Sequence, residues 1–189
     1  MQNVFELEKT TVVPNGGSYL SSYPFIKSYF QSLNVIAEED IIRGSHMVYG
    51  WMPTILDLYI GDENLSLDQL VFICNQAKNG VLLNKSELES IASVVNNSIV
   101  GASKLLHFVN PNVYPIWDSK IYTFVYEKKP YSYRVNDVSL YVEFIDTLSE
   151  LHNSPDFNFF HDSVNKKIGY DVSPVRALEL IMFLNSPSI

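Results

Sequence analysis

The sequence predicts a mainly α fold, a compact helical domain of one body or two lobes with a helical hairpin and a short N-terminal extended arm. Three observations carry this. Apolar residues recur at intervals of three and four through most of the chain. Ser, Asn and Asp stand in front of several of those runs, at positions where a helix needs a side-chain acceptor. Pairs drawn from Gly, Pro and Asn interrupt them. With 189 residues, 47% hydrophobic and 18% charged, the chain has enough apolar bulk for a real core.

Residues 1–17 read as the extended arm, strand-like at Thr10-Thr11-Val12-Val13 and closed by the loop Pro14-Asn15-Gly16-Gly17. A helix is expected from about Tyr23 to Leu33. Asp40 opens the next, with Ile41, Ile42, Ser45, Val48 and Tyr49 on one side, until Gly50-Trp51-Met52-Pro53 breaks it; Thr54 to Ile60 restarts it. Ser66 with Gln69, and Ser86 with Glu89, fit the reciprocal capping box. The helix after Ser66 turns Leu67, Leu70, Val71, Ile73 and Cys74 inward, and that after Ser86 turns Leu88, Ile91, Val94 and Val95 inward. Asparagine tolerates the left-handed conformation, so Asn96-Asn97-Ser98 makes a tight reversal into a helix from Ile99 to Val109. Asp137 caps a helix to about His152 with Leu140, Phe144, Ile145 and Leu148 inward. Ser173-Pro174 starts the last, ending at Leu184, because serine suits the cap and proline the first helical position.

The stretch Gly101 to Asp118 is the most informative. Its nearly uncharged helix must stop before Pro111, since the residue preceding a proline is pushed out of the α region, and Pro115 stiffens the approach to Ile116-Trp117-Asp118. Asp118 then stands where a new helix, Ser119 to Tyr126, begins. An acid there either caps free backbone N–H groups or faces a cleft at the positive end of the helix dipole.

The formal net charge is −8 and the isoelectric point about 4.9. That argues against a broad basic surface wrapping nucleic acid, while leaving room for local patches. Lys120, Lys128, Lys129 and Arg134 fall close together after Asp118, and Lys166, Lys167 and Arg176 form a second group; each such group is more often an ordinary solvated face. No apolar run is long enough for a bilayer, and the acidic first residues do not suit a signal peptide, so a cytoplasmic protein is expected. The single cysteine, Cys74, excludes an internal disulfide and reads as an inert core thiol.

The hairpin, the apolar helix after it and the Pro-x-x-Asp-Ser-x-Ile pattern of residues 115–121 resemble the helix-hairpin-helix DNA glycosylase superfamily over roughly residues 86–126. In that family the hairpin turn grips the DNA backbone and a later aspartate lies at the mouth of a base pocket. The resemblance implies that Asp118 is the catalytic acid, with Pro115 shaping its approach. The chain departs from the pattern in two places. The hairpin turn carries Asn96-Asn97-Ser98 where the family has glycines, and Val100 or Gly101 stands where Schiff-base members carry a lysine, Lys104 lying a turn later. A monofunctional N-glycosylase-like hydrolase is therefore the expectation.

Breaking an N-glycosidic bond develops oxocarbenium character that one carboxylate can stabilise. A flipped base also needs aromatic stacking. Trp51, Tyr49, Trp117 and Tyr122 are the aromatics available, with Lys104 and His107 as polar neighbours; the commoner readings are core packing for most of the aromatics, a hydrogen-bonded core imidazole for His107 and a lysine snorkelling from its apolar helix for Lys104, and Trp51, on its Gly-Pro bend, is the best non-core candidate. Lys120, Lys128, Lys129 and Arg134 are the candidate nucleic-acid contacts. The four histidines show no helical metal-site spacing, and no phosphate-binding glycine loop or nucleophile elbow occurs, so neither metal nor other cofactor is expected. The partners expected are DNA or a nucleobase. The alternative is a non-catalytic helical interaction module or host-defence accessory protein with a protein partner.

Overall fold

A computed structural model describes residues 2–14, 17–52, 54–61 and 64–187. Among these the fold is all-α: eleven helices and no strand, with one isolated antiparallel bridge. The helices are α1 (Val4–Thr10), α2 (Ser18–Ser32), α3 (Glu38–Trp51), α4 (Leu67–Lys78), α5 (Lys85–Val94), α6 (Ile99–Val109), α7 (Ser119–Tyr126), α8 (Ser132–Val135), α9 (Val138–His152), α10 (Phe157–Ile168) and α11 (Pro174–Leu184). No helix among the described residues is long and apolar enough to cross a membrane.

α6 sits at the centre. It packs against α2, α3, α4 and α5, and most of its eleven residues are buried. Its start, its end and the turn before it match the sequence expectation, because Asn96 and Asn97 adopt φ of 54° and 46° and reverse the chain there. The caps at Ser66, Asp118, Asp137 and Ser173 also form, each side chain accepting from a backbone N–H of the first turn.

Several expectations are corrected. Residues 4–10 of the expected extended arm form α1: Asn3 Oδ1 accepts from the N–H groups of Phe5 and Glu6 at 3.0 and 3.4 Å, and the helix docks on α10 and α11. Val4 and Glu8 are buried there, with Glu8 accepting from Ser163 Oγ and pairing with Lys167 at 2.6 Å. Thr10 closes α1, and Thr11 to Val13 form no strand; Asn15 and Gly16 of the expected loop lie outside the described residues. α2 begins five residues before Tyr23 and runs through Pro24. That proline removes the donor for Leu20 O, which accepts instead from Tyr170 Oη at 2.8 Å. α3 begins at Glu38, two residues ahead of Asp40.

Residues 54–60 do not resume a helix. Their backbone is taken by the hairpin turn: Asn96 Oδ1 accepts from Asp57 N and Asn96 Nδ2 donates to Ile55 O, at 2.9 and 3.0 Å, while Tyr59 N donates to Val94 O at 2.9 Å. Pro53, the expected breaker, lies outside the described residues. The cap of α5 is Asn84 with Glu87, not Ser86 with Glu89, so that helix starts at Lys85. α8 and α10 were not expected; Gly169 (φ 81°) ends α10 as a left-handed cap.

Gly101 marks the closest approach on α6. A Cβ there would overlap Tyr49 Oη and stand 3.1 Å from Val95 Cγ1. Alanine normally gains about 0.5–1 kcal/mol over glycine inside a helix, but overpacking a filled core costs about 1–3 kcal/mol. Gly101→Ala should therefore lower stability in urea unfolding, and adding Tyr49→Phe should recover part of the loss, since Tyr49 Oη makes no hydrogen bond to any described residue.

Candidate functional site

The site is built at the end of α6. Residues 110–118 cannot be helical with Pro111 and Pro115 among them, so their backbone groups need partners from elsewhere. Side chains supply them. Ser173 Oγ donates to Pro111 O at 2.6 Å, His107 Nδ1 to Tyr114 O at 2.7 Å and Tyr141 Oη to Pro115 O at 3.0 Å. Trp117 N donates to Ser103 Oγ at 3.1 Å, and Trp117 Nε1 to Val135 O at 2.8 Å. The approach to Asp118 is thus held by α6, α9, α11 and the end of α8.

Asp118 arrives half-buried at the N-terminus of α7. Its Oδ1 accepts from the N–H groups of both Lys120 and Ile121, at 2.9 and 3.0 Å. Oδ2 has no hydrogen-bond donor among the described residues. The acid is therefore a helix cap with one oxygen left over.

Lys104 on α6 and Glu179 on α11 complete a charged group with it. Lys104 is half-buried and forms neither a hydrogen bond nor an ion pair within the described residues; burial lowers its pKa, while the charges of Asp118 and Glu179 pull it back up. Glu179 is fully buried, with one oxygen accepting from Arg176 Nη1 and Oε1 without any partner. Burial pushes its pKa up to about 7 against the pull of Arg176, with the Asp118 charge raising it further. A proton on Oε1 would leave the other oxygen free to accept from the guanidinium. Arg176 also donates to Tyr19 Oη at 3.2 Å and lies over the rings of Tyr19 and Tyr23, 5.5 and 4.9 Å from their centroids. It is a core residue, 1% exposed, and not part of a solvated cationic face.

Lys104 also lines a surface depression of about 300 Å³ with Tyr49, Met52, Asn97, Gly101 and Asn136. The hairpin turn and the lysine thus share one concavity.

The other expected residues fall in two classes. Trp117, Tyr122, His107 and Tyr49 are buried. His107 Nδ1 donates to Tyr114 O, so Nε2 accepts from Tyr23 Oη at 2.8 Å; burial pushes its pKa down to about 3, which leaves a neutral structural imidazole. Trp51 ends α3 half-buried, stacked on Tyr19 at 4.1 Å and donating from Nε1 to Tyr19 O. Of the cations, Lys120 lies at the Asp118 end of α7, its Nζ 4.3 Å from the Phe183 ring centroid. Lys128, Lys129 and Arg134 gather beyond the other end of that helix and are exposed. Cys74 is buried, which pushes its thiol up to about 12. Among the described residues no group of three or more His, Cys, Asp or Glu stands together as a metal site.

Sequence reasoning missed Glu179 and Tyr19: the pair Arg176 and Glu179 is visible as an i, i+3 spacing on α11, but its burial is set by α2, whose Tyr19 lies 157 positions from Arg176. No family model, no curated protein and no solved structure matches the chain.

The buried glutamate gives a signed pH dependence. Between its ordinary value of 4.5 and about 7 the folded chain keeps a proton that the unfolded chain has released. Stability should therefore fall as pH rises through this window, by at most about 1.4 kcal/mol per pH unit. Glu179→Gln should flatten the slope in urea unfolding measured from pH 4.5 to 7. Arg176→Met, which leaves the acid buried without its cation, should cost about 3–5 kcal/mol at pH 7.

Proposed function

We propose that the chain acts on a nucleobase in DNA, hydrolysing the N-glycosidic bond at Asp118, as its resemblance to helix-hairpin-helix glycosylases implies. The observation that carries this reading is the division of labour within one carboxylate: Oδ1 is spent on the cap while Oδ2 has no donor among the described residues. As the base departs with the bonding electrons, positive charge grows on the sugar. A fixed carboxylate oxygen stabilises that charge and takes the proton of the attacking water. The departing base is protonated from solvent. Lys104, held in the same electrostatic group, balances the negative charges of Asp118 and Glu179.

A second reading is a helical interaction module without catalysis. The net charge of −8 and the burial of Trp117, Tyr122 and His107 favour it, since these side chains serve the core.

The test is base release from duplexes carrying damaged or mismatched bases. Asp118→Asn should reduce the rate by about 10²–10⁴-fold, with unfolding stability changed by less than about 0.5 kcal/mol because asparagine caps as well as aspartate. Lys104→Met should cost less than Asp118→Asn, and borohydride should trap no covalent adduct. Absence of base release across the panel would favour the second reading.

A further inference from the structure

A second feature lies at the far end of α7. Glu127, in the left-handed conformation (φ 54°), turns the chain outward into Lys128-Lys129-Pro130 and the short helix α8. Tyr131 and Tyr133 are 50% and 70% exposed there, and their rings stack on each other with centroids 5.9 Å apart and planes 17° from parallel. Lys129 Nζ lies 5.3 Å from the Tyr131 centroid; the Arg134 guanidinium lies 5.6 Å from that of Tyr133 and donates from Nε to its Oη at 3.1 Å. Residues 127–134 hold three cations against one carboxylate in a chain of net charge −8.

The ring pair is exposed, but its base is fixed. Val135 is buried and its carbonyl accepts from Trp117 Nε1, and Asn136 Oδ1 accepts from Ser98 Oγ at 2.8 Å, which ties the segment to the hairpin turn. Two large rings held in water by a rigid support contribute little to this fold and mark a contact surface.

We propose that Tyr131 and Tyr133 form a stacking platform for unpaired bases of single-stranded nucleic acid, with Lys128, Lys129 and Arg134 meeting the phosphates on either side. Charge complementarity selects a polyanion, and the paired rings select one that presents flat faces. Duplex DNA presents the charge but keeps its base faces covered by stacking. An acidic peptide presents the charge without the faces. When a base takes a ring face, the flexible Lys129 and Arg134 ends swing from the rings to the backbone, which replaces a cation–π contact with a charge pair. The surface requires no chemistry at Asp118, so it stands or falls separately from the glycosylase reading.

Fluorescence anisotropy of the full chain with a labelled single-stranded oligothymidine of about 10 nucleotides tests it, against its duplex and against polyglutamate. Single strand should bind more tightly than either competitor. Tyr133→Ala should weaken that binding about 5- to 150-fold, the loss of one stacked base, whereas Tyr133→Phe keeps the ring and most of the affinity. Lys129→Gln should make the dependence of affinity on salt shallower, the log–log slope falling by about 0.7. Both positions are exposed, and circular dichroism should show each of the three variants folded. Equal or tighter binding of duplex, preference for polyglutamate, an unaffected Tyr133→Ala variant, or no binding of single strand at low salt would each overturn the proposal. Binding of single strand without base release would uphold it while removing the reading of Asp118.

Discussion

The satisfied backbone of residues 110–118 is the constraint on which the rest depends. The segment leaves a buried helix, carries two prolines and passes through the core, where an unpaired carbonyl costs about 1–3 kcal/mol. The four anchoring side chains come from three helices: Ser103 and His107 from α6, Tyr141 from α9 and Ser173 from the start of α11. Moving the segment by a residue would break several of these bonds together. The path into Asp118 is therefore set by packing far from Asp118 itself, and His107 belongs to that support.

The same helices bring charge under the acid. α11 is apolar over most of its surface yet buries Arg176 and Glu179 one turn apart, with Tyr19 and Tyr23 of α2 closing over the guanidinium. A buried ion pair of this kind is an inefficient way to gain stability, since desolvation offsets most of the attraction. Its consequence is electrostatic: the charges of Asp118 and Glu179 raise the pKa of Lys104, and the Asp118 charge raises that of Glu179 while Lys104 lowers it, across α6, α7 and α11.

Local chemistry explains what was legible in the sequence. Asn96-Asn97, Asp118, Asp137 and Ser173-Pro174 set helix ends by their own side chains and dihedrals, and the helices they bound begin and end as expected. Residues 54–60 were misread because their hydrogen bonds go to the hairpin turn, about 40 positions away, and no local pattern encodes that. α1 is a single short helix whose stability comes from docking on α10 and α11, so its propensity alone carried little signal. At the site, Asp118 could be read from its proline-bounded approach. Glu179 could not: an acid one turn after an arginine reads as an ordinary surface pair, and it becomes notable only once both are seen buried, with Lys104 and Asp118 acting on the acid from other helices. For the aromatics the core reading is the one the burial matches, since Trp117 and Tyr122 flank the acid in sequence but fill the core.

In the proposed reaction a fixed oxygen of Asp118 answers positive charge at a sugar. The most direct measurement of this role compares DNA duplexes containing a cationic pyrrolidine abasic analogue with otherwise identical duplexes containing a neutral tetrahydrofuran one. An enzyme complementary to an oxocarbenium-like transition state binds the cationic mimic more tightly. The unmodified chain should prefer the cation by at least about tenfold, equivalent to about 1.4 kcal/mol, and the preference should disappear in Asp118→Asn. Equal affinity for the two analogues in the unmodified chain, or a preference that survives Asp118→Asn, would contradict that role.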